Sequence, residues 1–196
     1  MKNIYSKTLV VLLTLLVSAT AFAQSAATDT MKAAVDNIVV IVNEREFSAP
    51  EDKRAAILSE VQGVFDFSEM AKRSLGANWK KVSQDEQEEF INAFSDFLAD
   101  TYINRVDQVK PGMIEFNDEK VKGNKALVKT SIMVDEETFP LDYKMYNNEG
   151  KWMVYDVIIE NVGLIANYRN EFAGIMRKEK FAGLMKRLKK KQEAAS

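Results

Sequence analysis

The chain contains no histidine and no cysteine, so the side chains left for chemistry are carboxylates, lysines, tyrosines and serines. A Ser-His-Asp triad, a cysteine nucleophile and the ordinary zinc ligand sets are thereby excluded. One carboxylate stands out by position, because Asp156 interrupts the apolar run from Trp152 to Ile159. It reads as a general acid or base in an apolar pocket, or as a buried structural carboxylate held by hydrogen bonds or by an arginine such as Arg169. The first reading makes the protein a small enzyme acting through an Asp, Glu or Tyr. The second is the more common use of such a residue. No Gly-rich phosphate loop occurs, and no cofactor or metal is implied.

The other patterned residues are apolar. Phe90, Phe94, Phe97, Leu98 and Tyr102 recur at spacings of three and four, followed by Val106 and Val109, and so share one face of a helix. Such a stripe is ordinary core at this spacing, and equally a candidate cavity wall. Val128, Ile132, Phe139, Leu141, Tyr143, Trp152 and Val154 share one side of a set of strands with the same two readings.

These residues need elements to carry them. Met31, Val35, Ile38, Val39 and Val42 predict a first amphipathic helix, and Pro50 suits the first position of a second one carrying Ile57, Leu58 and Val61. A short third helix is expected from about Asp66 to Leu75, stopped by Gly76. Ser83-Gln84-Asp85-Glu86 is a capping box that opens the long aromatic helix, which is expected to run to Pro111-Gly112. Beyond Gly112 the period changes to two, and strands are expected at about 113–118, 125–134, 138–146 and 151–159.

The polar connections Lys122-Gly123-Asn124, Asp135-Glu136-Glu137 and Asn147-Asn148-Glu149-Gly150 are short enough for hairpins, so the sheet should be a four-stranded antiparallel meander. In the last strand Trp152, Val154 and Ile158 are expected on one side and Met153, Tyr155, Val157 and Ile159 on the other, both covered. Two final helices follow, through Leu164, Tyr168, Phe172 and Ile175, and through Phe181, Leu184, Met185 and Leu188. Helices, then sheet, then helices make an α+β domain.

Residues 1–23 read as a cleavable leader: Lys2 and Lys7, an apolar stretch from Leu9 to Val17, and Ala21-Phe22-Ala23 as the cleavage site. A bacterial periplasm is the address this implies, with residues 24–196 as one soluble domain. Removing Lys2 and Lys7 with the leader moves the formal charge from −2 to −4, too mild for a dedicated nucleic-acid binder. The charge is uneven, since Arg177, Lys178, Lys180, Lys186, Arg187, Lys189, Lys190 and Lys191 crowd the C-terminal end. That end is a candidate for transient contact with an anionic membrane surface, or simply a solvated helix end.

Phe65-Asp66-Phe67, followed by Met70-Ala71, Leu75-Gly76 and Trp79, resembles the opening signature of the MlaC, or toluene-tolerance, proteins. Gly150-Lys151-Trp152-Met153-Val154-Tyr155-Asp156-Val157 through Glu160, then Asn167-Tyr168-Arg169 and Phe172, is similar to that family's second signature. The resemblance spans nearly all of residues 24–196. It implies a phospholipid carrier without enzymatic activity that maintains outer-membrane lipid asymmetry. It also implies two partners, an inner-membrane ABC transporter complex and an outer-membrane lipoprotein-porin complex. The fold it implies is a curved sheet and helices enclosing an apolar cavity for the lipid tails. On that reading Phe90, Phe94, Phe97, Leu98, Tyr102, Val128, Ile132, Leu141, Tyr143, Trp152, Val154, Val162 and Phe172 are candidate cavity residues, with Val162 at the mouth.

One stretch departs from the family, which usually reads Glu-Gly-Val-Ser-Leu where this chain has Glu160-Asn161-Val162-Gly163-Leu164. Asn tolerates left-handed backbone angles, so the turn is expected to survive without the Ser hydroxyl. A protein-binding adaptor with a filled core is the third reading, and it would hold no lipid.

Overall fold

Capping chemistry sets most of the helix boundaries. The protein was analysed as a computed structural model that describes residues 26–195; the expected leader at 1–23 lies outside the described residues. Helix α1 is Ala26–Asn43, and α2 is Pro50–Val64 with the proline in its first turn. Asp66 caps α3 (Phe67–Leu75), its Oδ1 accepting the Glu69 N–H at 2.8 Å. Gly76 ends α3 at φ 54° and leads into a 3₁₀ turn, Gly76–Lys81.

The capping box forms as expected. Ser83 N–H donates to Glu86 Oε2 at 2.8 Å while Ser83 Oγ accepts the Glu86 N–H at 3.2 Å, opening α4 (Gln84–Val106). Helix α4 stops short of Pro111. Gln108 and Val109 tighten onto the Arg105 and Val106 carbonyls, and the Val109 carbonyl accepts from Asn43 Nδ2 at 3.0 Å, tying the end of α4 to the end of α1. Val109 is therefore buried without being helical.

The sheet is an antiparallel meander of β1 (Ile114–Lys122), β2 (Lys125–Val134), β3 (Glu137–Asn148), β4 (Lys151–Ile159) and β5 (Val162–Gly163), in that order. Two features differ from the expected strands at its margins. β1 runs on through the polar stretch Asp118–Lys122, which shows no apolar alternation because it is an edge paired only with β2, past an irregularity at Asn117. A fifth strand of two residues is added by a tight turn in which Glu160 and Asn161 take φ 48° and 68°. Asn161 thus adopts the left-handed backbone that the departure from the family pattern requires.

A bulge corrects the expected faces of β4. Met145 pairs with Val154 but Lys144 pairs with Asp156, so Tyr155 is the extra residue and parity flips after it. Val157 and Ile159 consequently join Trp152 and Val154 on one face, and Ile158 does not. The two sides of β4 are both covered: α1 lies over Val154 and its face-mates, while Arg73 of α3 stacks 4.1 Å over the Tyr155 ring on the other side.

The two expected C-terminal helices form one element, α5 (Leu164–Ala195), broken by Lys180 at φ 60° and ψ −169°. The break depends on a glycine. A Cβ on Gly183 would lie 2.3 Å from the Glu179 Cβ, so only Gly lets that side chain fold across. Arg187 then grips Glu179 through two hydrogen bonds, 2.9 and 2.5 Å. The core falls into three clusters: one among α3, α4 and α5, one between the sheet and α1, and a small one of Ile41, Ile57 and Ile103 joining α1, α2 and α4.

Candidate functional site

The helical candidates lie in the first cluster. Phe90, Phe94, Phe97, Leu98 and Phe172 are buried, and Tyr102 is half-buried against them. Phe94 stacks on Phe90 at 5.6 Å and meets Phe172 and Tyr168 edge-on at 5.6 and 5.5 Å. These centroid distances are the favoured aromatic ones, each pair adding about 1 kcal/mol beyond area burial. The stripe of α4 therefore packs on α5, and Phe94 shows 0% exposure. Burial, reinforced by the Tyr102 hydroxyl, pushes the Tyr168 phenol far above its ordinary range.

The sheet candidates divide along their length. Val128, Tyr143, Trp152 and Val154 are buried against Ala27, Met31 and Ala34 of α1 and Val64 of α2. Burial, with the Asp142 charge adding to it, likewise raises the Tyr143 phenol and keeps it neutral. Toward the β2–β3 turn the same face opens. Ile132 and Leu141 are half-buried, and Val162 is 59% exposed. Strand pairing sets Ile114 and Phe139 opposite Ile132 and Ile159 opposite Leu141, extending this half-open face.

Ile114, Phe116 and Ile159 were not among the sequence candidates. The first two carried a detectable signal, alternation at two residues, whereas Ile159 needed the bulge to be known. The structure thus separates the candidates into a closed helical group, a closed sheet group and a graded apolar trough holding Ile132, Leu141 and Val162. One polar side chain on this face, Thr130, is 2% exposed and donates its hydroxyl to the Leu141 carbonyl, so it presents no free polar group to an apolar ligand.

The signature residues turn out to join layers. Phe65 bridges to Val154, and Asp66 N–H donates to the Val154 carbonyl at 2.9 Å. The second oxygen of Asp66 accepts from the Tyr146 hydroxyl, and burial followed by that bond pushes the Tyr146 pKa up to about 12. Arg169 donates to the Arg73 carbonyl at 2.7 Å, satisfying a group left over at the end of α3, and lies across Gly76 where a Cβ would be 3.2 Å from it.

Arg169 is consequently not the partner of Asp156. Asp156 Oδ2 accepts from Lys144 Nζ at 2.9 Å and Oδ1 from the Ile165 N–H at 3.0 Å, so it caps α5 from the strand. At 5% exposure with both oxygens engaged, it is a structural carboxylate. Gly163 lies against it, a Cβ there being 3.3 Å from Oδ2.

Among the described residues no helix is long and apolar enough to cross a membrane. Of the C-terminal cations, Arg187, Lys189 and Lys191 are held by Glu179, Glu89 and Glu171. Two open clefts of about 650 and 770 Å³ flank Phe181 between this end and α4; their linings include Arg177, Lys180 and Lys189 and no sheet residue.

Comparison with known proteins follows the same outline. A family model described as the MlaC protein matches residues 32–190. The intermembrane phospholipid transport system binding protein MlaC of Haemophilus influenzae is 20% identical over 195 residues, covering 95% of this chain and 90% of that protein. A phospholipid-binding protein from Ralstonia solanacearum, solved in complex with a phospholipid, superposes with a TM-score of 0.78. It is 20% identical and is covered over 99% of its length by 87% of this chain, which establishes a shared fold.

Proposed function

The chain belongs to the MlaC family, and from that premise we propose that it is a phospholipid carrier of the bacterial periplasm, without enzymatic activity, acting between an outer-membrane complex and an inner-membrane ABC transporter. The observation that carries this reading is the graded trough on the sheet, running from Val128 and Val154, with no exposure, through half-buried Leu141 and Ile132 to exposed Val162. An acyl chain of about 16 carbons resists water by roughly 0.8 kcal/mol per CH₂, or on the order of 10 kcal/mol per tail. A surface that is apolar along its length and free of unpaired polar groups can offset that without trapping the cargo.

The trough is the proposed seat of the tails, with Ile132, Phe139, Leu141, Ile159 and Val162 at its mouth. Deeper penetration would part the sheet from α1, past Tyr143 and Trp152. The stripe of Phe90, Phe94, Phe97, Leu98, Tyr102 and Phe172 is read as core between α4 and α5, where Phe94 already stacks on Phe90 and meets Phe172 edge-on. The head group stays in water, and no cofactor or metal takes part.

Native mass spectrometry of residues 24–196, purified from a periplasm without detergent, tests the reading. A stoichiometric diacyl phospholipid adduct is expected. A bare mass that gains nothing from added vesicles contradicts it and returns the protein to the adaptor class.

A further inference from the structure

We propose that the acidic end of the sheet, built from the β2–β3 and β4–β5 turns, docks a protein partner whose contact ring is rich in lysine and arginine. The proposal deepens the carrier reading, since this end is also the proposed mouth. Val134 pairs with Glu137 and Ile159 with Val162, leaving Asp135-Glu136 and Glu160-Asn161 as two-residue turns at the same end. β3 overhangs β4 there: Leu141 faces Ile159, so Glu137–Pro140 extends beyond, and Glu160 N–H donates to the Pro140 carbonyl at 3.0 Å.

Exposed apolar side chains flank this overhang, with Val134 and Val162 on the trough face and Met133 on the opposite one. Met133, Val134 and Val162 are exposed, whereas Val121, another large exposed apolar side chain among the described residues, lies at the opposite end of the sheet. Around them stand Asp135, Glu136, Glu137 and Glu160, all exposed and none in an ion pair among the described residues. Lys110 reaches the same end through the Met113 N–H, which donates to its carbonyl, and the Met133 N–H, which donates to the Met113 carbonyl. Glu136 and Glu160 sit at φ 69° and 48°, positions where Gly, Asn or Asp is easier, so turn geometry does not account for these two glutamates, while Asp135 at φ 49° suits its turn.

The opposite end of the sheet carries Lys120, Lys122, Lys125 and Lys151, exposed around the other two turns beside Glu149. The sheet is thus charge-polarised along its strands. An anionic bilayer is repelled by the acidic end, which alone bears the apolar overhang. A cationic protein rim is attracted to it, aligned by the polarity, and closed over Met133, Val134 and Val162 once in contact.

The test places a photocrosslinking amino acid at Met133 or Val162 of the full chain in its source cell, with Val121, 51% exposed at the far end, as control. The expected result is a crosslink from Met133 and Val162, but not Val121, into a protein segment bearing a basic cluster. Its yield should fall at least tenfold in Glu137→Lys/Glu160→Lys and partially in Glu137→Gln/Glu160→Gln, with the bound phospholipid unchanged by native mass spectrometry. Crosslinks into lipid alone, into a second copy of this chain or into a segment without basic residues overturn the proposal. So do equal yields from Val121 or an undiminished yield after charge reversal. A charge-dependent crosslink from a protein that carries no phospholipid would instead sink the carrier reading and leave the docking surface standing.

Discussion

The aromatic stripe of α4 and the inner face of the sheet have similar apolar composition and opposite states of packing. On α4, every ring from Phe90 to Phe97 finds a partner on α5 or a neighbour on its own helix. On the sheet, burial runs out along the strands, from Val128 and Met145 with no exposure to Val162 at 59%. A side chain that has spent its contacts on neighbours stabilises the fold. One that has half its surface open has contacts still to give.

The largest effect should come from breaking the closed region. Phe94→Ala leaves a cavity among Phe90, Tyr168 and Phe172 and should cost about 3–5 kcal/mol, read as a denaturant midpoint. Lipid load per folded molecule should stay unchanged. Asp156→Ala comes next, because it orphans Lys144 and the Ile165 N–H at the start of α5. A loss of about 1–3 kcal/mol is expected by thermal melting.

Substitutions in the open region should reverse the pattern. Phe139→Ala, at a half-buried position, should cost under about 1.5 kcal/mol yet lower bound phospholipid several-fold in a vesicle-exchange assay. An equal loss of lipid from Phe94→Ala and Phe139→Ala, at matched folded fractions, would erase the distinction.

The smallest effect concerns the join between the two regions. Tyr146 is raised to about 12 from an ordinary 10, chiefly by burial and then by its bond to Asp66. The unfolded chain therefore releases this proton first, so the contribution is whole below pH 10 and is lost as pH rises toward 12. Tyr146→Phe should be less stable than the parent at about pH 8, with the gap narrowing at alkaline pH in parallel unfolding curves.

Much of this architecture was legible beforehand, for identifiable reasons. The Ser83–Glu86 box and the Gly76 stop are local chemistry, and the strands at 125–134 and 151–159 each begin after a glycine turn, at Gly123 and Gly150. The Tyr155 bulge was hidden because apolar residues occupy both parities of the strand, Met153 and Val157 on one and Val154 and Ile158 on the other, and the Lys180 break because it depends on Glu179 crossing Gly183. The site was only half legible. Periodicity told that Phe90, Phe94 and Phe97 share a face and could not tell what that face meets, and the partner of Asp156 proved to be Lys144 from a neighbouring strand.

The measurement that bears most directly on the central claim is labelling with a phospholipid carrying a photoreactive group along its acyl chain, followed by mapping of the modified residues. The account predicts labels on Ile132, Phe139, Leu141, Ile159 and Val162, spreading toward Tyr143 as the group is moved to the chain end. Labels concentrated on Phe90, Phe94 and Phe97, with the sheet unmarked, would show that the tails lie between α4 and α5 and contradict it.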